Sequence, residues 1–277
     1  MRFERCAREL YARPWALMPS MYSVFHDTFQ RAVDGDVLDA QVEVFGMKVE
    51  VKLPQDYDTI DNVAVISIDG ALGHRLDTFA KACMGAVDYR DITAAIDKAN
   101  ADADVDAIIL EINSPGGMVT GLQETAEAIR DSGKPVVSFT DSLCASAGYY
   151  LATAADSVFA TASADVGCIG TLMTWIDVTD AMEAQGVKRE LIASGKFKGM
   201  LLPGIPLTDE QREHLQGEVD FLATEFRDFV RESRGEVPQE AMEGQTMLGP
   251  VAQKHNLIDE IGGFDAALIE AKQLGDE

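Results

Sequence analysis

Residues 141–150 read Asp-Ser-Leu-Cys-Ala-Ser-Ala-Gly-Tyr-Tyr, and this stretch joins a predicted strand to a predicted helix. The apolar run before it, at 135–140, predicts a buried strand, and the Ala-, Leu- and Tyr-rich segment 149–155 predicts a helix. Ser146 lies at the junction between small residues, which leave room around its hydroxyl. The N-terminus of a helix presents free N–H groups that favour an oxyanion. The same residues also fit a tightly packed helix start, so this stretch supports both a catalytic and a purely structural interpretation.

Strands and helices alternate on both sides of Ser146, which predicts an α/β fold with a parallel sheet and right-handed crossovers. In such sheets the chemistry gathers in the loops that follow the carboxyl ends of the strands. Beyond the Ser146 turn we predict a strand at 187–193 and a capped helix from Thr208 to about 233. The alternating segment 41–52 predicts one strand or a hairpin of two short ones. The remaining core elements are predicted strands at 63–68, 105–112 and 157–160 and predicted helices at 91–100 and 119–130.

The chain has 277 residues, 47% of them hydrophobic, which is enough for one large domain or two small ones. We expect an N-terminal arm with a short β segment at 1–60, followed by the main domain with its C-terminal helical part at 61–277. The formal net charge of −24 repels phosphate backbones and therefore argues against DNA or RNA as a ligand.

The four cysteines form no CxxC pair, which predicts free thiols in a reducing compartment rather than a zinc or disulfide framework. The charged N-terminus leaves no apolar core for a signal peptide, and no stretch is long and apolar enough to span a bilayer. We therefore expect a cytoplasmic protein without a membrane anchor. We also expect no metal or nucleotide, since the sequence has no P-loop and no dinucleotide fingerprint.

The second chemical signal is Ser-Pro-Gly-Gly at 114–117, directly after a predicted buried strand. Successive glycines allow the backbone to approach a ligand closely. One interpretation is an oxyanion hole at Gly116 and Gly117, with the Gly117 N–H as the main donor. The other interpretation is an ordinary strand-to-helix turn, because Pro-Gly-Gly is also favourable turn chemistry.

A serine nucleophile needs a base, and the four histidines of the chain offer weak candidates. His214 lies in a polar helix and His255 beside a lysine, so both are interpreted as solvated. A serine–lysine pair is a known variant of the catalytic triad. Its lysine must lose a proton although the ordinary pKa of lysine is about 10.4, and apolar surroundings favour the neutral form. Lys198, which follows a phenylalanine and precedes an apolar run, fits this role better than Lys196.

Together, five motifs resemble the signal-peptide-peptidase A family of serine–lysine peptidases over about residues 62–264. They keep the order and spacing of that family: Ser-Pro-Gly-Gly at 114–117, Ala-Ser-Ala-Gly-Tyr-Tyr at 145–150, Ala-Asp at 155–156, Gly-Cys-Ile-Gly at 167–170 and Gly-Lys-Phe-Lys at 195–198.

The resemblance implies a Clp-protease/crotonase-like α/β fold, with stacked ββα units around a spiral parallel sheet and C-terminal helices. It implies Ser146 as the nucleophile, Lys198 as the general base and Gly117 as an oxyanion donor. It also implies a homo-oligomeric ring, in which the lysine of one subunit can reach the serine of its neighbour. No cofactor is implied.

Within that family the chain looks most like the head-assembly (prohead) proteases of tailed phages. The segment Arg-Pro-Trp-Ala-Leu-Met-Pro at 13–19 is similar to one near their N-termini. This resemblance implies a scaffold or capsid protein as the substrate, in the host cytoplasm and inside the assembling prohead. The chain departs from the family at Cys168, where a serine usually helps to orient the lysine, and Thr171 is the expected substitute.

Several alternatives stay open at the level of the sequence. A cellular peptidase of the same family would degrade peptides with the same dyad, and a crotonase-fold enzyme that is not a protease would need no such pair. A Ser-His-Asp hydrolase would place His255 near Ser146, and a non-catalytic assembly protein would leave Ser146 unreactive. Cys144 is a weaker candidate nucleophile because it has no evident base.

Overall fold

The computed structural model describes residues 57–76, 80–81 and 85–276, together with the backbone of three short strands before them. The strands are β1 (Trp15–Leu17), β2 (Glu43–Val44), β3 (Met47–Lys48), β4 (Asp58–Ile60), β5 (Val63–Asp69), β6 (Leu72–Gly73), β7 (Val87–Asp88), β8 (Ala107–Asn113), β9 (Gly116–Met118), β10 (Val136–Thr140), β11 (Leu143–Ala145), β12 (Ser157–Ala160), β13 (Asp165–Gly167), β14 (Thr246–Leu248) and β15 (Glu260–Ile261). The helices are α1 (Tyr89–Ala101), α2 (Leu122–Arg130), α3 (Ala147–Ala152), α4 (Thr179–Ala184), α5 (Asp209–Arg234), α6 (Gly249–Lys254) and α7 (Phe264–Gly275), with a 3-10 turn at Gln239–Ala241.

The main sheet has the strand order β15-β12-β10-β8-β5-β4, and only the edge strand β4 runs antiparallel to its neighbour. Its central strands are apolar at successive positions because both faces of the sheet are covered. Ile108 belongs to the core under α1 and α2, whereas the next residue, Ile109, belongs to the core under α7. Burial on both faces explains why these segments are continuous apolar runs rather than alternating ones.

At least three ββα units follow one another in the part of the chain that the structure describes. Strands β5, β8 and β10 of the main sheet are each followed by a short strand, β6, β9 or β11, and then by a helix, with β7 inserted before α1 in the first unit. The short strands leave the main sheet and form two smaller sheets, β1-β9-β6-β7 and β11-β13-β14. The fold expected from the sequence, with stacked ββα units and a parallel sheet, is therefore confirmed.

The long helix α5 confirms the predicted capped helix, and its first turn carries a capping box. Thr208 Oγ1 accepts a hydrogen bond from the backbone N–H of Gln211, whose side chain accepts one from the N–H of Thr208. Near its other end, the ring of Phe229 stacks on that of Tyr150 in α3, with 4.0 Å between the centroids. Arg234 ends the helix with two hydrogen bonds, of 2.7 and 2.8 Å, to the carboxylate of Asp259.

The strand predicted at 187–193 is wrong, because these residues pair with no strand. Residues 183–196 are all exposed, and Ile192 is 99% exposed. Without a sheet edge to pair with, an apolar, β-branched run does not become a strand. This exposed segment, 183–196, is hereafter called the outer loop.

Two further sequence expectations concern the N-terminal part. Of the two alternatives predicted for 41–52, one strand or a hairpin of two short ones, the structure has the hairpin, because β2 pairs antiparallel with β3. The division of the chain at residue 60 stays a prediction: β4 lies before that boundary and pairs with β5 after it. The side chains of the 13–19 segment lie outside the described residues. Among the helices that the structure describes, none has the length and apolar character to cross a membrane.

Asp88 ties the start of α1 to the loop after β6. Its fully buried carboxylate accepts hydrogen bonds from the backbone N–H and guanidinium of Arg90 and from the N–H of Leu76. Burial alone would raise the pKa of Asp88, but these hydrogen bonds and the charge of Arg90 outweigh it and lower that pKa to about 2. The ionised form is thus favoured by the fold.

Asp88→Asn should therefore lower the free energy of unfolding by about 2–3 kcal/mol at pH 7, since one pKa unit corresponds to about 1.4 kcal/mol. A depressed pKa stabilises the fold above the unfolded pKa of about 3.9, and this contribution is lost as the pH falls towards 2. Urea unfolding at pH 7, 5 and 3.5 should show the difference between the two proteins shrinking at the lowest pH. Asp97→Asn, at an exposed position of the same helix, is the control.

Candidate active site

Ser146 lies in a strained turn between β11 and α3. Its backbone has φ 55° and ψ −119°, which few residues other than glycine adopt. The turn is held on both sides, because the Ser146 N–H donates to the carbonyl of Gly167 at 2.7 Å and its carbonyl accepts from the N–H of Tyr150 at 2.9 Å. Strain of this kind persists where the surrounding structure enforces it, and it is concentrated at functional sites.

The small residues around Ser146 have a packing role as well. Ala145 and Ala147 are completely buried, and a Cβ on Gly148 would lie 3.0 Å from the Cβ of Ser114. The stretch is therefore a tightly packed helix start, as the structural interpretation of the sequence predicted. This interpretation leaves the Ser146 hydroxyl unexplained, because this buried oxygen has no hydrogen-bond partner among the described residues.

The fold brings the Ser-Pro-Gly-Gly motif next to this turn. Ser114 follows β8 and forms a parallel bridge with Cys144 in β11. Its N–H donates to the carbonyl of Leu143 at 2.7 Å, and its carbonyl accepts from the N–H of Ala145 at 3.0 Å. The two motifs are separate in sequence and adjacent in space because β8 and β10 are neighbouring parallel strands.

The two glycines of the motif differ in their hydrogen bonds. The Gly116 N–H donates to Ser114 Oγ at 3.2 Å, so it is already engaged inside the chain. Gly117 lies opposite Leu72 of β6, and a Cβ at this position would lie 1.9 Å from the Leu72 carbonyl oxygen. Sequence reasoning missed Ser114 as the residue that fixes this loop, although its place directly before Pro-Gly-Gly was a usable signal.

Gly117→Ala should therefore disturb both the site and the fold. The added methyl group cannot fit without moving β6 away from β9, so we expect destabilisation by about 3 kcal/mol or more, as for overpacked cores. Thermal unfolding and peptide hydrolysis would both be measured. Gly133→Ala is the matched control, since a Cβ there meets only the side chain of Asn100 at 3.8 Å or more.

The two candidate lysines have different surroundings. The ammonium group of Lys196 pairs with Glu210 and lies 5.0 Å from the centroid of the Phe197 ring. Lys198 is exposed, and within the part of the chain that the structure describes no hydrogen bond or ion pair holds its ammonium group. Lys198 makes no hydrogen bond to Ser146, whose hydroxyl is unpaired. Within the described residues of one chain, no hydrogen bond therefore joins the two groups.

The lysine loop is anchored on the first turns of α5. The Gln211 side chain donates to the carbonyl of Lys196, and the ring of Phe197 packs against His214 with 4.9 Å between the centroids. His214 Nε2 also lies 3.4 Å from Glu218 Oε1, one turn along the same helix. These contacts account for His214 without any role at Ser146.

The expected helper residues and the alternative nucleophile and base have other surroundings. Thr171 Oγ1 donates to the carbonyl of Val219 in α5 at 2.9 Å, so its hydroxyl is engaged there. Cys168 is buried in a positive-φ conformation, and burial raises the pKa of its thiol to about 11. Burial also raises the pKa of the Cys144 thiol, well above its usual range, which disfavours a thiolate nucleophile. His255 makes no hydrogen bond to Ser146.

Metal ligands are not assembled in the described ranges 57–76, 80–81 and 85–276. No group of three or more His, Cys, Asp or Glu side chains there is arranged to hold a metal ion. What the arrangement offers instead is a strained serine beside a glycine-lined strand, with a free lysine on an exposed loop.

Comparison with known proteins gives consistent matches. The chain is 32% identical over 240 residues to Capsid assembly protease C of Escherichia phage lambda, which covers 83% of this chain and 54% of the relative. It is 27% identical over 194 residues to the Putative signal peptide peptidase SppA of Enterococcus faecium, covering 67% and 56%. It is 26% identical over 294 residues to Protease 4 of Salmonella typhi, covering 96% and 47%. The chain thus spans about half the length of these relatives.

Residues 128–276, more than half of the chain, match the family described as Peptidase family S49. The matched region contains both Ser146 and Lys198, whereas the glycine motif at 114–117 precedes it. The chain belongs to peptidase family S49.

Proposed function

We propose that the chain is a serine endopeptidase that hydrolyses peptide bonds with Ser146 as the nucleophile and Lys198 as the general base. The observation that carries this proposal is the strained turn at Ser146, which buries a hydroxyl without a hydrogen-bond partner. A buried hydroxyl is normally hydrogen-bonded, and its lack of a partner costs stability. Ser138 also has an unpaired buried hydroxyl, but its backbone is not in the positive-φ region. At Ser146 the two unfavourable features coincide, and this is explained if the missing partner belongs to the reacting complex.

The reaction would proceed through an acyl-enzyme. Neutral Lys198 takes the proton of Ser146 as the Ser146 oxygen attacks the scissile carbonyl carbon. The resulting oxyanion is held by the N–H of Gly117 and by N–H groups at the start of α3, which have no intrahelical partners. The protonated lysine then gives its proton to the leaving amine, and water hydrolyses the acyl-enzyme by the same route.

Lys198 would come from a neighbouring subunit of a homo-oligomeric ring. Its exposed position and the unpaired Ser146 hydroxyl are two incomplete halves of one site. The outer loop supports this arrangement, because its apolar residues Leu191 and Ile192 are 41% and 99% exposed and would gain from burial against a partner. Burial at such an interface would also provide the apolar surroundings that a neutral lysine needs.

The proposed substrates are scaffold or capsid proteins, cleaved in the host cytoplasm inside an assembling phage head. This part of the proposal is supported by the similarity to Capsid assembly protease C, a protein named for capsid assembly. We further propose that residues 1–60 of this chain form an arm attached to a peptidase domain at 61–277. No cofactor, nucleic acid or membrane takes part.

A fluorophosphonate probe tests the chemistry directly, since it reacts covalently with activated serines. We expect labelling of the intact protein, and peptide mapping should place the label on Ser146. A label on another residue, or none on a folded and oligomeric protein, would contradict the proposal. The substrate is tested separately, by incubating the protein with candidate scaffold and capsid proteins and identifying the fragments by mass spectrometry.

A further inference from the structure

The strand that carries the proposed oxyanion donor is already paired with the chain's own N-terminal segment. Strand β1 runs antiparallel to β9, with Trp15 opposite Met118, Ala16 opposite Gly117 and Leu17 opposite Gly116. On its other side β9 pairs with β6. Strand β1 therefore occupies the edge of β9 that would otherwise be open.

That edge is where a peptide substrate would have to lie under the proposed function, on which this inference rests. The scissile carbonyl must reach both the Gly117 N–H and the Ser146 oxygen. An extended peptide that adds to the edge of β9 would bring its backbone to Gly117, as in other cases of peptide binding by strand addition. In the structure, Ala16 holds the position opposite Gly117.

The burial of the site agrees with an occupied groove. The glycines of β9 are buried, and Ser146 is only 1% exposed. A nucleophile that must meet a protein substrate cannot remain covered in the active state. The element that covers the edge of β9 must leave before a substrate can enter, and that element is β1.

We propose that the segment 15–17 is a displaceable, internal occupant of the substrate position, which keeps the site closed until a substrate strand replaces it. The pairing spans only three residues, so few backbone hydrogen bonds hold it. The sequence has prolines at positions 14 and 19, and a proline has no backbone N–H to donate. A longer peptide without such prolines can make more of these bonds and so displace the segment.

An engineered disulfide tests this inference. Directly opposite residues of an antiparallel pair have Cα atoms about 4.5–5.5 Å apart, within the range that a disulfide needs. The double variant Trp15→Cys, Met118→Cys should therefore form a cross-link with oxidised glutathione, identified by mass spectrometry of the joined peptides. Trp15→Cys alone and Met118→Cys alone are the controls, which also account for the native thiols.

Hydrolysis of a fluorogenic peptide should fall at least tenfold on oxidation of the double variant and recover on reduction. Oxidation of the single variants should leave the rate unchanged. A cross-linked protein with an undiminished rate, or failure of the cross-link to form, would overturn the inference while leaving the proposed function standing. A cross-link in a protein that hydrolyses nothing in either redox state would overturn the proposed function, and the closed-site inference with it.

A second pair of variants keeps the test independent of cross-linking. Neighbouring residues of a strand point their N–H groups in opposite directions, so only one of Ala16→Pro and Leu17→Pro removes a bond to β9. That variant should lower KM by about threefold to tenfold with kcat unchanged, because the internal competitor is weakened. The other variant is its matched control. Equal kinetics in both variants and the wild type, or cleavage of the chain itself at 14–19, would show that the segment is not a displaceable inhibitor.

Discussion

Ser146→Ala is expected to abolish measurable peptide hydrolysis and leave the folded state at least as stable as before. Loss of a serine nucleophile typically lowers kcat by about 10⁴–10⁶. Alanine fits the same space, and the hydroxyl that it removes has no partner in the structure. Because an unsatisfied buried hydroxyl costs free energy, its removal should be neutral or stabilising, by up to about 1 kcal/mol.

Ser138→Ala provides a matched control for this prediction. Ser138 in β10 is also buried, and its hydroxyl likewise has no hydrogen-bond partner among the described residues. Its replacement should change stability in the same direction while leaving hydrolysis intact. Urea unfolding and steady-state kinetics of the three proteins would measure both effects. Hydrolysis that persists in a purified, folded Ser146→Ala protein would rule out Ser146 as the nucleophile.

Lys198→Ala should be inactive alone, yet it should restore activity when co-assembled with the equally inactive Ser146→Ala. If each site joins two subunits, an equal mixture leaves both groups intact at about a quarter of the interfaces of a ring. The mixture should therefore reach about a quarter of the wild-type rate. Lys196→Ala should keep most of the activity, since Lys196 is paired with Glu210 instead.

Co-assembly must be verified before the mixture is interpreted, for example by native mass spectrometry of two differently tagged variants. A mixed ring without activity would place both groups within one chain and contradict the shared site. An active Lys198→Ala protein on its own would instead point to a different base.

The core of this fold could be predicted from local sequence because its determinants are local. The apolar runs of β5, β8 and β10 and the capping residues Thr208 and Gln211 each carry their own signal. The adjacency of the 114–117 loop and the Ser146 turn followed less directly, from the rule that loops after parallel strands meet at one edge. The resemblance of the motifs then supplied the proposed roles of Ser146 and Lys198, which neither pattern could give.

Other features depend on information that a single segment does not contain. The run at 187–193 has strand-like residues, but whether it pairs is decided by surfaces outside it. The helix after Ser146 begins at Ala147, two residues earlier than predicted, because the strained turn is enforced by the hydrogen bond to Gly167. Under the proposed shared site, the position of Lys198 relative to Ser146 likewise depends on the assembly rather than on spacing along the chain.

Helix α5 has a consequence for when the protein can act. Its first turns hold the lysine loop through Gln211, and Phe229 near its far end holds α3 directly after the nucleophile. These two anchors lie about 27 Å apart along one unbroken helix, at 1.5 Å per residue. The rigid helix therefore fixes the separation between a subunit's own lysine loop and its own nucleophile. Under the proposed mechanism a newly made chain is then a latent enzyme, and its specific activity should fall on dilution as rings come apart. The onset of cleavage would then depend on the local concentration of the chain, since cleavage could begin only where enough copies have assembled.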